Sequence, residues 1–167
     1  MVPPTSDEYK SILNKFDQAM RGHYNQIVHI QRVQNERWYM QYLAHSRDFQ
    51  NRLHADTEQR LYHGCPELAA HSISESCFNR SYAGINGTAL GAGVYFSSEA
   101  TYSHGYTRPN ANGERCMFIA RVLVGKTTGG NSSMKTPPPG FDSTSSGSAF
   151  VIYHDAQAYA EHLITYK

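Results

Sequence analysis

The features that would place this chain at once are missing from it. Behind Gly91 and Gly93 a dinucleotide-binding fingerprint requires another glycine three positions on, but position 96 is phenylalanine. A Rossmann phosphate loop is therefore excluded. The three cysteines, Cys65, Cys77 and Cys116, lack the short paired spacing of a zinc site. Their odd number, with no secretory signal in "MVPPTSDEYK", predicts reduced thiols in an intracellular setting, cytoplasm and/or nucleus. Nine histidines include no HxxxH or HExxH pair, and His23 and His29 are spaced for neither helical nor loop ligation, so no metal is expected. No apolar run approaches the roughly 20 residues of a membrane span. The formal charge of +1 gives no field to recruit nucleic acid or an anionic membrane. Neither membrane nor direct DNA binding is expected, and the opening residues read as the start of a fragment of a longer protein.

What is present predicts one compact α+β domain in 167 residues. Ser6 or Asp7 caps a helix over about 7–21 with Ile12, Leu13, Phe16 and Met20 as its stripe. "YNQIVHIQRVQN" reads as a strand, and Asn35 caps a second helix to about Leu53 through Trp38, Tyr42 and Phe49. "RLYHG" is a short strand ending at Gly64, and "PELAAHSISE" a helix with proline in its first turn. Residues 79–92, rich in glycine and without apolar period, form a loop. "GVYF" and "MFIARVLVG" are strands, with a helix between them capped by Ser97 or Ser98. "GKTTGGNSSMKTPPPGFDSTSSGS" is a second long loop before closing strands "AFVIY" and "HLITYK". Tyr24, Tyr39 and Tyr42 lie at core-like spacing with no basic stripe, which argues against an RNA-binding face.

Chemistry concentrates in a few positions. His63 and Gly64 end a strand, Tyr95 sits in "GVYF", and Ser103 and Tyr106 stand three apart on the next helix, pointing from one face. A phenol ring beside a hydroxyl suits a flat amide-bearing ring, stacked on one and hydrogen-bonded to the other. Gly64, without a side chain, brings its backbone amide and carbonyl within reach of a carboxamide, and His63 offers a ring nitrogen to a sugar hydroxyl. Nicotinamide attached to ribose fits that description.

"LYHG", "FNRSYAGINGTALGAGVYFSSEATYSHGY", "MFIARVLVG", "PPPGFDS" and "FVIYHDAQAYAEHLITY" together resemble the catalytic domain of the poly(ADP-ribose) polymerase-like ADP-ribosyltransferases. The resemblance covers about Glu58 to Tyr166 and is nearest to mono-ADP-ribosylating members. It implies the ADP-ribosyltransferase fold, a split, mostly antiparallel sheet flanked by helices with an NAD⁺ cleft. Residues 1–57 would be an N-terminal helix–strand–helix and 58–167 the NAD⁺-binding core. It further implies that His63 holds ribose, Gly64 and Ser103 hold the carboxamide, Tyr106 stacks, Tyr95 forms the opposite wall, and 79–92 covers the donor pocket. NAD⁺ would be the co-substrate, a protein (self or other) the acceptor, and nicotinamide mimics such as benzamide inhibitors.

Three departures from the family pattern carry consequences. Ala149 stands where polymer-forming members place a glutamate, so transfer of single units is expected. Cys65 replaces the usual threonine or serine after His-Gly, and the segment between "FDS" and "AFVIY" is several residues short. The residues before position 58 are too few for a helical regulatory subdomain, so no DNA-dependent switch is expected. The competing reading is a catalytically inactive domain of the same fold, serving as an NAD⁺-binding or protein-interaction module.

Overall fold

The computed structural model describes residues 1–80 and 88–167; the middle of the expected 79–92 loop lies outside them. Helix α1 (Asp7–Met20) starts where Ser6 Oγ accepts the Tyr9 N–H at 3.1 Å, satisfying one of the free donors at a helix start. It buries Ile12, Phe16 and Met20, while Leu13 is only half-buried. Helix α2 (Glu36–Leu53) starts at Asn35, whose side chain accepts from Trp38, and buries Tyr42 and Phe49. Helix α3 (Glu67–Ser76) begins after Pro66, which is the cap residue and not the first helical one.

Among the described residues, eight strands form one sheet in the order β1-β8-β4-β2-β3-β7-β6-β5. They are β1 (Ile27–Arg32), β2 (Glu58–Cys65), β3 (Val94–Ser97), β4 (Arg115–Leu123), β5 (Thr127–Thr128), β6 (Ser143–Ser146), β7 (Ala149–Ile152) and β8 (Ala158–Tyr166). Of these strands β5 and β6 pair in parallel; the other neighbours are antiparallel. The sheet is also split. One residue pair, Tyr62 opposite Ser97, joins the half β1-β8-β4-β2 to the half β3-β7-β6-β5.

The expected α+β architecture is therefore present, with corrections in its details. The "RLYHG" strand extends back to Glu58, and "HLITYK" is the end of a nine-residue strand. The second long loop contains β5 and β6. Ser143–Ser146 is all hydroxyl side chains and has no apolar alternation, but Ser143 and Thr144 are fully buried with their hydroxyls bonded to main-chain carbonyls. The segment that reads as shortened is a tight hairpin. Ser146 faces Ala149 across Gly147 and Ser148, and Gly147 has φ +57°, the backbone that such turns require.

Glu8 fastens α1 to the sheet. Its carboxylate accepts from Arg32 Nε at 3.0 Å and pairs with His162 Nε2 at 2.7 Å. These bonds, Arg32's first and His162's second, hold the Glu8 carboxyl down at about 2. A folded-state pKa below the unfolded one contributes stability above the unfolded value, near 4.5, that is lost as pH falls through the folded value. Glu8→Gln is therefore expected to flatten the loss of stability between about pH 4.5 and 2, measured by denaturant midpoints across that range. An unchanged slope would show that the ion pairs are solvent-screened.

Candidate active site

The site lies where the two half-sheets part. Continuing the Tyr62–Ser97 register would set Phe96 opposite His63 and Tyr95 opposite Gly64, but the pairing stops after one residue. On their other side His63 and Gly64 stay in register with Phe118 and Met117 of β4. The Tyr62 carbonyl accepts the Ser103 hydroxyl at 3.0 Å. It thus points toward helix α4 (Ala100–His104). Backbone polar groups alternate sides along a strand with period two, so the Gly64 N–H and C=O face the same opening.

A Cβ on Gly64 would overlap the main-chain carbonyl oxygen of Ser103 and lie 2.9 Å from Thr107 Cγ2. Only glycine lets β2 and α4 come this close. Ser103 is 2% exposed. Its proton is committed to Tyr62, leaving oxygen lone pairs to offer; the proton turns to a ligand carbonyl only by leaving Tyr62.

His63 spans the gap. Its Nδ1 lies 2.7 Å from the Tyr95 carbonyl, and its ring rests against Phe78 and Phe96 at 5.1 and 5.3 Å between centroids. Desolvation lowers its pKa, opposed in part by the Tyr95 carbonyl. A carbonyl can only accept, so the neutral ring carries its proton on Nδ1 and presents Nε2 as an acceptor. This tautomer can receive a bond from a hydroxyl.

The tyrosines assemble on the α4 side. Tyr102 and Tyr106 hydroxyls lie 3.2 Å apart, with ring centroids at 5.4 Å. The Tyr102 phenol is pushed up by desolvation, then by its bond to Tyr106 and the nearby Tyr106 and Tyr95 charges; Tyr95 is raised mainly by desolvation. All three phenols thus share one neighbourhood. Helix α4 ends at His104, so Tyr106 lies past it and not on the helical face expected. Neither Ser97 nor Ser98 is its cap residue, which is Glu99, although the Ser97 hydroxyl accepts the Glu99 N–H at 3.0 Å. Sequence reasoning passed over Tyr102; its i,i+4 spacing to Tyr106 was the available signal.

Gly91 and Gly93 are both confined. Gly91 has φ +130° and no room for a Cβ beside the Tyr153 hydroxyl, and a Cβ on Gly93 would overlap the Ile152 carbonyl. Tyr95 accepts the Leu90 N–H at 2.9 Å and donates to the Gly91 carbonyl at 2.8 Å.

Ala149 begins β7, 5% exposed, facing Ser97 across one ladder and Ser146 across the other. Cys65 is buried directly opposite Cys116, and desolvation raises its thiol pKa, which makes it a core group and a poor nucleophile. A groove of about 510 Å³ under α1, lined by Lys15, Arg60 and Glu161, reaches the seam at Tyr62 and Ser98 and is separate from the His63 side.

Comparison with known proteins points the same way. A family model described as the poly(ADP-ribose) polymerase catalytic domain matches residues 6–149. Human protein mono-ADP-ribosyltransferase PARP14 is 36% identical over 180 residues, 98% of this chain and 10% of that protein. Mouse protein mono-ADP-ribosyltransferase PARP10 is 35% identical over 97% of the chain and 18% of its own length. Human protein mono-ADP-ribosyltransferase PARP12 is 33% identical over 97% of the chain and 24% of its length. The chain thus spans from a tenth to about a quarter of these relatives. A family match over residues 6–149 and relatives 36% and 35% identical over nearly the whole chain, on a split sheet of this order, place this chain in the poly(ADP-ribose) polymerase catalytic-domain family.

Proposed function

We propose that this domain transfers a single ADP-ribose unit from NAD⁺ to a protein side chain, releasing nicotinamide. The observation that carries the reading is the neutral His63 held by the Tyr95 carbonyl at the parting of the half-sheets, with Nε2 left as an acceptor. In this reading Nε2 accepts a ribose hydroxyl. The Gly64 main chain and the Ser103 hydroxyl hold the carboxamide, and Tyr106 and Tyr95 flank the nicotinamide ring. These groups fix the glycosidic bond for attack and exclude competing orientations.

The chemistry needs little from a base. The bond between the ribose C1′ and the pyridinium nitrogen breaks, its electron pair neutralising the departing nicotinamide, while an acceptor oxygen forms the new bond at C1′. An acceptor carboxylate is already ionised near neutral pH, so no proton has to be removed. A general base would add about 10²–10⁴-fold for a hydroxyl acceptor. Ala149 supplies none, and the tight β6–β7 turn beside it projects no loop to seat a second ADP-ribose unit.

Incubation with labelled NAD⁺, read by electrophoresis of the domain, tests the reading. A discrete labelled band is expected. A smear of rising mass would overturn the role given to Ala149. Ala149 and Cys65 also favour the second reading, a module that binds NAD⁺ without transfer; binding in calorimetry with no label would select it.

Two substitutions sharpen the picture. Ala149→Glu is expected to change NAD⁺ turnover by about tenfold at most and to give no polymer. The buried position raises the new carboxyl's pKa and weakens it as an anion. Long polymer on a gel would show that this position alone sets product length. Tyr106→Ala removes a stacking surface worth about 0.5–1.5 kcal/mol beyond area burial. Benzamide affinity should fall several-fold, and unchanged affinity by calorimetry would move the pocket elsewhere.

A further inference from the structure

The Leu90 carbonyl is held with unusual care for a group in a connecting segment. Tyr153 Oη donates to it at 3.0 Å and Thr144 Oγ1 at 2.9 Å, and the two hydroxyls lie 2.7 Å apart. Tyr153 is 2% exposed and Thr144 fully buried. The same carbonyl presses on Gly130, where a Cβ would overlap it, and Gly91 lacks a Cβ against the Tyr153 hydroxyl. On the opposite side, Tyr95 takes the Leu90 N–H and gives its own proton to Gly91.

The same short stretch after β7 also holds Arg80. The Tyr153 carbonyl accepts Arg80 Nη1 at 2.7 Å, and the Asp155 carboxylate accepts the Arg80 N–H at 3.1 Å. Residues before and after the glycine-rich segment therefore converge on Tyr153–Asp155. The sequence singled out neither Tyr153 nor Thr144 as a site residue.

We infer that Tyr153 and Thr144 are positioning residues for the nicotinamide pocket, gripping Leu90 so that Leu90 and Gly91 in turn fix the Tyr95 phenol. The inference rests on the proposed reading of Tyr95 as a pocket wall. Neither residue touches the ligand; each acts through Leu90. Their hydroxyls work as a pair. With two protons among three oxygens, one bond to Leu90 survives whichever way they turn. Removing the Tyr153 hydroxyl alone leaves Thr144 to donate, so Tyr153→Phe by itself should shift affinity no more than about threefold. Both must go to release the carbonyl.

The test is a double variant, Thr144→Val with Tyr153→Phe, which keeps both shapes, measured by calorimetry with benzamide and by NAD⁺ kinetics. About a tenfold loss of benzamide affinity is expected, with KM for NAD⁺ rising more than kcat falls. Tyr153→Phe with Thr144→Ser retains one hydroxyl and should bind like the single variant. Tyr95→Phe should weaken benzamide in the parent and do little in the double variant, because the grip it depends on is already gone. Thermal melting establishes that each variant is folded; should the double variant not fold, Thr144→Ala with Tyr153→Phe, which also removes both hydroxyls, takes its place in the same comparison. Additive losses when Tyr95→Phe is combined with removal of both hydroxyls, or an unchanged affinity in the double variant, would overturn the inference. A parent protein that fails to bind benzamide would instead sink the functional reading of the pocket.

Discussion

His63→Ala is expected to reduce transfer of ADP-ribose to protein by at least about 100-fold, the scale of a lost positioning contact. The ring holds two places at once: Nδ1 closes the gap to the Tyr95 carbonyl, and Nε2 is the acceptor that the proposed reading gives to the ribose. Alanine leaves that carbonyl without its donor and the ribose without its acceptor. Single-turnover measurements with labelled NAD⁺ would read the loss, and full activity would remove the site assignment. The pH profile gives an independent check. Desolvation moves the His63 pKa below the usual histidine range, and the neutral ring is the competent form, so activity lost on acidification should appear below about pH 6.5. An acid limb above that value would mean that another group controls the rate.

Gly64→Ala is the second large effect expected. The added methyl meets the Ser103 main-chain carbonyl, and backbone yields less readily than a flexible side chain. Overpacking of this kind costs about 1–3 kcal/mol, which for a domain of this size lowers the melting temperature by roughly 2–12 °C. Binding should suffer more than stability, because α4 carries Ser103 and leads into Tyr106. Benzamide binding is expected to disappear in calorimetry. Gly129→Ala, where an added Cβ meets nothing within 4 Å, is the control and should be near neutral. Equal behaviour of the two variants would show that close approach at Gly64 has no special role.

Much of this arrangement could be read from the residues. Ser6 and Asn35 announced their helices through side chains that cap, and the apolar spacing of Ile12, Phe16 and Met20 fixed the buried face of the first. His63, Gly64, Tyr95, Ser103 and Ala149 were identifiable by motif, and they do gather around the seam where Tyr62 meets Ser97. Hidden from such reading were features whose cause is tertiary. The buried hydroxyls of Ser143 and Thr144 look like loop composition until their acceptors, the Val124 and Leu90 carbonyls, are in place. Helix α4 stops at His104, so Tyr106 reaches its place by a turn that helical periodicity does not describe. Tyr153 looks like an ordinary core residue because its partners are distant in sequence.

The placement of β8 has a consequence for how the molecule is made. This strand, the last of the eight in sequence, lies between β1 and β4, with Ile27 opposite Tyr166 and Phe118 opposite Leu163. Until residues 158–166 have left the ribosome, β1 has no neighbour in the sheet, and the apolar edge of β4 stands open. Pairing so distant in sequence is slow to form, and α1 waits with it, since His162 on β8 supplies one of its two anchors to Glu8. Folding of the half that carries His63 is thereby deferred until β8 has been made. A nascent chain stopped short of Ala158 should be open to protease throughout, and one extended past Tyr166 should be protected.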